Sequence, residues 1–122
     1  MKVKEIRWID KDSGEASVTV SDGIHECVAF SHPCHLNVGD EIKEPLHSLD
    51  ESSVYKVEKQ EANLRRQSGT DNWNHELVGL VLDKDKYLIQ VGQLKIVLNS
   101  LPGDIANGDF VECCPSRLDI ID

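Results

Sequence analysis

The sequence predicts an all-β chain made of two similar five-stranded small barrels joined by a polar linker. Three observations lead there: a repeated segment, runs in which apolar and polar residues alternate on either side of it, and glycine-bearing turns between those runs.

The repeat aligns Ser31-His32-Pro33-Cys34-His35-Leu36-Asn37-Val38-Gly39-Asp40-Glu41-Ile42 without a gap on Ser100-Leu101-Pro102-Gly103-Asp104-Ile105-Ala106-Asn107-Gly108-Asp109-Phe110-Val111, at a constant offset of 69. Its pattern is Ser-x-Pro-x-x-(Leu/Ile)-x-x-Gly-Asp-x-(Ile/Val). Further upstream, Trp8-Ile9-Asp10-Lys11-Asp12 is similar to Val81-Leu82-Asp83-Lys84-Asp85 at an offset of 73, so the first copy carries four more residues between that turn and the shared segment. Length differences of this kind are tolerated in loops.

Each copy reads as strands. In the first, residues 3–9 precede Ala16, Val18 and Val20, which alternate with Ser17, Thr19 and Ser21 at the period of a half-buried strand. Ser21-Asp22-Gly23 supplies a turn and residues 24–30 return, with Phe30 read as core beside Ile24 and Val28. In the second copy, residues 77–82 are apolar on both faces, which suggests burial between layers. Tyr87, Ile89 and Val91 then alternate, Gly92-Gln93 turns, and Leu94, Ile96 and Leu98 return. Gly39-Asp40 and Gly108-Asp109 each open a fourth strand at a tight corner, and residues 54–57 and 118–121 are the expected fifth strands. The domain reading is residues 1–58, a polar linker 59–75 with a short helix over 58–66, and residues 76–122.

Five short strands per unit with a Gly-Asp corner before the fourth resemble the small barrels of the OB-fold kind. The features that carry the likeness are Ser21-Asp22-Gly23, Val38-Gly39-Asp40-Glu41-Ile42 and Asn107-Gly108-Asp109-Phe110-Val111, and SH3-like barrels are the alternative topology. The resemblance implies a binding surface across the middle strands and flanking loops, used in such folds for nucleic acid or oligosaccharide.

Charge argues against the nucleic-acid use. Thirteen Lys plus Arg stand against twenty-two Asp plus Glu, a formal charge of −9. Both halves share the imbalance, with seven basic and twelve acidic residues through residue 60 and six and ten after it. Single-strand binders need a positive groove and stacking rings, and aromatics are only 5% of this chain. No apolar stretch approaches the roughly 18 residues of a membrane-spanning helix. The N-terminal residues carry no signal-peptide core, so a cytoplasmic chain with reduced thiols is expected.

The densest set of reactive side chains is His25, Cys27, His32, Cys34 and His35. These are the candidate zinc ligands, since His25 and Cys27 share a strand face and the other three follow in one loop. The spacing forms no zinc knuckle, and the second copy has Leu94, Ile96, Leu101, Gly103 and Asp104 at the aligned positions. The expected state is therefore a packed Cys27 with solvated histidines and no cofactor. Cys113-Cys114 on a strand would point to opposite faces. Asp10, Asp12, Asp83 and Asp85 fall on matching turns without calcium-loop spacing. No phosphate-binding glycine loop, nucleophile elbow or His-Glu-x-x-His helix occurs, and catalysis is not expected. The sequence is thus read as a non-catalytic module for a macromolecular partner, foremost a protein. The alternative is single-stranded nucleic acid bound through Lys59, Arg65, Arg66 and Trp73. The oligomeric state is not legible.

Overall fold

A computed structural model of the chain describes residues 1–51, 53–58, 61–66 and 73–121. Among these residues the chain is all-β, with eleven strands: β1 (Lys2–Asp10), β2 (Glu15–Ser21), β3 (Glu26–Ser31), β4 (Leu46–Leu49), β5 (Tyr55–Val57), β6 (Asn63–Arg66), β7 (His75–Asp83), β8 (Leu88–Val91), β9 (Leu94–Val97), β10 (Phe110–Cys113) and β11 (Arg117–Asp119). No helix among them is long and apolar enough to cross a membrane.

Local chemistry sets the turns. Asp10 Oδ1 accepts from the Asp12 N–H at 3.1 Å, and Asp83 Oδ1 accepts from the Asp85 N–H at 3.1 Å. These are side-chain-closed turns, a use of aspartate that explains both residues without an ion. The two Gly-Asp corners also match. Gly39 and Gly108 sit at φ +94° and +90°, a region that favours glycine. Asp40 Oδ2 accepts from the Asn37 N–H at 2.8 Å, and Asp109 Oδ2 accepts from the Ala106 N–H at 2.9 Å. Each corner then lies against the first long strand of its own half. Gly39 N–H donates to Val3 O and Val3 N–H to Asp40 O, both at 2.8 Å. Gly108 N–H donates to Val81 O and Val81 N–H to Asp109 O, both at 2.9 Å.

Beyond the corners the halves exchange strands. β4, from the first half, runs parallel to β9, with Leu46 opposite Ile96. β11, from the second half, runs parallel to β3, with Leu118 opposite Ala29. β4 and β11 pair antiparallel with each other, His47 opposite Asp119. The result is one hydrogen-bonded path, β1-β2-β3-β11-β4-β9-β8-β7-β10-β5, with β6 added to β7. Barrels closed by their own five strands are not what this pairing gives: the last strand of each half completes the other half's sheet, and the path is open at β1 and β5. The departure comes after the corners: Ile42 N–H still donates to Met1 O and β10 still pairs with β7, and the chain crosses to the opposite half only at β4 and β11.

The segment 58–66, expected as a helix, holds β6 instead among its described residues. Asn63–Arg66 pairs antiparallel with the His75–Val78 half of β7, whose flank β8 leaves open, and alternation buries Leu64 beneath the strand. Tertiary pairing overrides the weak helical pattern. The core is lined by the inward faces: Val18 and Val20 from β2, Cys27 and Ala29 from β3, Leu46 from β4, Leu77 and Val81 from β7, Ile89 and Val91 from β8, Leu94 and Ile96 from β9, and Leu118 from β11.

Candidate functional site

Alternation that buries Cys27, Ala29 and Ser31 of β3 turns Val28 and Phe30 outward. Phe30 is thus on the outer face, not in the core as its pattern suggested. Register then lays out two rows across the first three strands: Arg7, Ser17 and Phe30 in one, Glu5, Thr19 and Val28 in the other.

β6 and the start of β7 border this face. With it β6 forms a cleft of ≈670 Å³ whose lining includes Arg7, Ser17, Thr19, Ile24, Arg65 and Arg66. Glu5, Glu26 and His25 also line it. Arg65 stands directly opposite Glu76 on β7 and pairs with it, its Nε 2.7 Å and Nη2 2.5 Å from Glu76 Oε2. Ile24, at the tip of the β2–β3 turn, is 86% exposed at the rim.

Beside the cleft an aromatic group gathers on Phe30. The Trp73 ring meets the Phe30 ring edge-on, with centroids 5.9 Å apart and an interplanar angle of 84°. The Arg117 guanidinium carbon lies 4.4 Å from the Phe30 centroid. Arg117 is held there by Asp119, from Nε to Oδ1 at 2.7 Å and from Nη2 to Oδ2 at 3.1 Å, and this hydrogen bond raises its pKa further. His32 lies at the same ring, tilted, with a centroid distance of 6.4 Å.

His75 ties the two sides of the site together. Its ring is fully buried, Nδ1 lies 3.0 Å from the Trp73 carbonyl, and Nε2 accepts from the Val28 N–H at 3.1 Å. Acceptance at Nε2 leaves the proton on Nδ1, which donates to Trp73 O. Burial drives the pKa down to about 4, outweighing the Trp73 carbonyl, which favours the charged form; Arg66 lowers it further. The histidine is a neutral brace between β7 and the edge of β3 that β11 leaves uncovered.

The candidate zinc ligands are spread over this end of the molecule. Cys27 faces the core, and burial pushes its thiol up to about 12, with Glu26 and Asp22 adding to the effect. Cys34 is buried in the loop, its N–H bonded to Gly14 O at 2.8 Å, while His32 and His35 are exposed. His25 Nδ1 lies 3.5 Å from Asp22 Oδ2. Among the described residues no three His, Cys, Asp or Glu side chains converge as a metal site would require.

Of the partner-binding candidates, the structure brings Arg65, Arg66 and Trp73 to one side of the outer face, and Lys59 lies outside the described residues. Arg7, Ser17 and Thr19 were missed by sequence reasoning, although their parity against Val18 and Val20 marks them as outward. Phe30, Arg117 and His75 had no local signal, because only the parallel β3–β11 contact and the β6–β7 pairing unite them. No family model matches the chain, and neither a curated protein nor a solved structure gives a match.

Proposed function

We propose that this chain is a non-catalytic binding module for a protein partner, which it holds by a segment lying in the cleft between the outer face of β1–β3 and β6. The observation that carries this reading is the mixed lining of that cleft. Arg7, Arg65 and Arg66 share it with Glu5 and Glu26, with the hydroxyls of Ser17 and Thr19 and with the exposed Ile24. A polypeptide offers both charges, backbone groups and apolar side chains, so each part of that lining finds a complement.

A single-stranded nucleic acid offers phosphates throughout, and would meet Glu5, Glu26 and Glu76 beside the arginines. Its bases would also find the Phe30 ring already engaged by Arg117 and Trp73. Both points support the protein reading on the same surface.

The test uses the full chain as bait, alongside the Arg65→Ala, Arg66→Ala double variant and Ile24→Ser. The expected result is a specific protein captured by the wild type and lost, or bound at least about tenfold more weakly, with each variant. In parallel, labelled single-stranded oligonucleotides at near-physiological salt should show no saturable binding in the micromolar range. Tight oligonucleotide binding that falls steeply with salt and disappears in the double arginine variant overturns the protein reading.

A further inference from the structure

β1 ends the hydrogen-bonded path of the sheet, and its outer edge is only partly covered. The corner at residues 39–42 satisfies the backbone of Val3 and meets Lys2 opposite Glu41. Beyond Val3, no described residue pairs with that edge. The β1–β2 register shifts between Val3 and Glu5 and again between Trp8 and Asp10, so the two irregularities bracket a regular run, Glu5-Ile6-Arg7-Trp8. A strand edge of this kind presents unpaired N–H and C=O groups to any strand able to meet it.

We propose that the occupant is β1 of a second copy of this chain, paired antiparallel about a two-fold axis at Ile6. Such an axis normal to the sheet keeps inner face beside inner face, so a residue must stand opposite one of the same parity. Within the run this leaves registers centred on Glu5, Ile6, Arg7 or Trp8, and the last pairs no residue of the run except Trp8 with itself. Centring on Glu5 sets two carboxylates opposite each other, and centring on Arg7 sets two guanidiniums opposite each other. Like charges directly opposite destabilise a strand pair. The register centred on Ile6 sets Glu5 of each copy opposite Arg7 of the other, twice, on the outer face, with Ile6 against Ile6 on the inner face. The charges that would guard this edge against a stranger match only in a self-pairing of this one register. Glu5 and Arg7 also line the cleft, but the readout here is association of the purified chain with itself, which requires no cleft partner.

Sedimentation velocity of the purified chain, run up to about 0.5 mM, tests it. The wild type should show a concentration-dependent dimer. Glu5→Arg should weaken association at least about tenfold, because four like charges then meet. The double exchange Glu5→Arg, Arg7→Glu should restore it. Both residues are exposed, and a thermal melt of each variant checks that the fold is retained. Ile6→Cys should form a disulfide-linked dimer on mild oxidation, since the axis places the two introduced thiols opposite each other. A wild type that stays monomeric throughout overturns the proposal. So does a double exchange that remains as dissociated as the single one, or a folded Ile6→Cys variant that fails to cross-link.

Discussion

The carboxylate of Asp22, in the turn between β2 and β3, accepts a hydrogen bond at 2.8 Å from the backbone N–H of Gln93, in the turn between β8 and β9. The other oxygen accepts from the N–H groups of Ile24 at 2.8 Å and His25 at 2.6 Å. Only 2% of the Asp22 side chain is exposed. One acidic side chain therefore shapes its own turn and fastens it to a turn 71 residues away.

Removing that clasp should be costly. Asp22→Ala leaves the Gln93, Ile24 and His25 amides without their acceptor, and about 2–3 kcal/mol of stability should be lost in urea unfolding at pH 7. Gly92→Ala should destabilise as well, since Gly92 sits at φ +59° and an added Cβ would fall 2.7 Å from His25 Nδ1 and nearer still to Asp22 Oδ2. A wild-type midpoint in either variant would mean that the two turns do not depend on each other.

The same carboxylate sets an acid limit. Burial alone would raise its pKa, but the amides of Gln93, His25 and Ile24 hold it down to about 2, against 3.8 in the unfolded chain. Its contribution is fully present above pH 3.8 and is lost as pH falls toward 2. The Asp22→Asn variant should therefore lose less stability than the wild type between pH 4 and pH 2, read from urea titrations at each pH.

His75 acts in a higher window. Its folded pKa of about 4 lies below the unfolded value of 6.5, so the unfolded chain binds the extra proton between those limits. Stability is complete above pH 6.5 and falls as pH drops toward 4, by about 3 kcal/mol in all. In His75→Gln that slope should flatten while stability at pH 7 decreases, because the Val28 N–H and the Trp73 carbonyl lose a fitted partner. An unchanged slope across pH 6.5 to 4 would show that another group governs the transition.

Thiol reactivity should be graded by burial. Cys27, Cys34 and Cys113 are buried and Cys114 is half-buried, with the Cys113 thiol, like that of Cys27, pushed up to about 12 by burial and nearby carboxylates. With a chromogenic disulfide reagent, Cys114 should react first in the native chain and the other three only on unfolding. Rapid labelling of Cys27 in the folded chain would contradict its placement.

Zinc should be well below one equivalent per chain in protein purified without chelator, because the core-facing Cys27 and the exposed His32 and His35 do not converge. Elemental analysis reads this directly. A stoichiometric metal lost in Cys34→Ser would reinstate the cluster as a site.

Strand character was legible wherever alternation is local. Ala16, Val18 and Val20 face the core as their period requires, and the Gly39-Asp40 and Gly108-Asp109 corners, aligned from the sequence, make the same set of hydrogen bonds. What could not be read is pairing between distant segments. Nothing near Leu118 announces a parallel contact with Ala29, and nothing near Leu46 announces one with Ile96. Phe30 was misread for the same cause: which face of β3 is inner depends on the strands that enclose it. Arg65, Arg66 and Trp73 stood out as basic and aromatic residues in a polar stretch, yet their neighbours Arg7, Arg117 and His75 come from three other strands.

The exchange of strands also bears on synthesis. As the chain leaves the ribosome, β1, β2 and β3 can form a meander at once, but the flank of β3 at Ala29 and Phe30 waits for a strand 89 positions further on. β4 likewise emerges with neither β9 nor β11 yet made. Until β11 appears, the nascent chain displays open edges and an incomplete apolar interior, the condition in which non-native association competes. Its last contacts close long loops, the kind of pairing that makes β topologies slow to fold. A pause in translation before β11 would thus prolong the most vulnerable state of the chain.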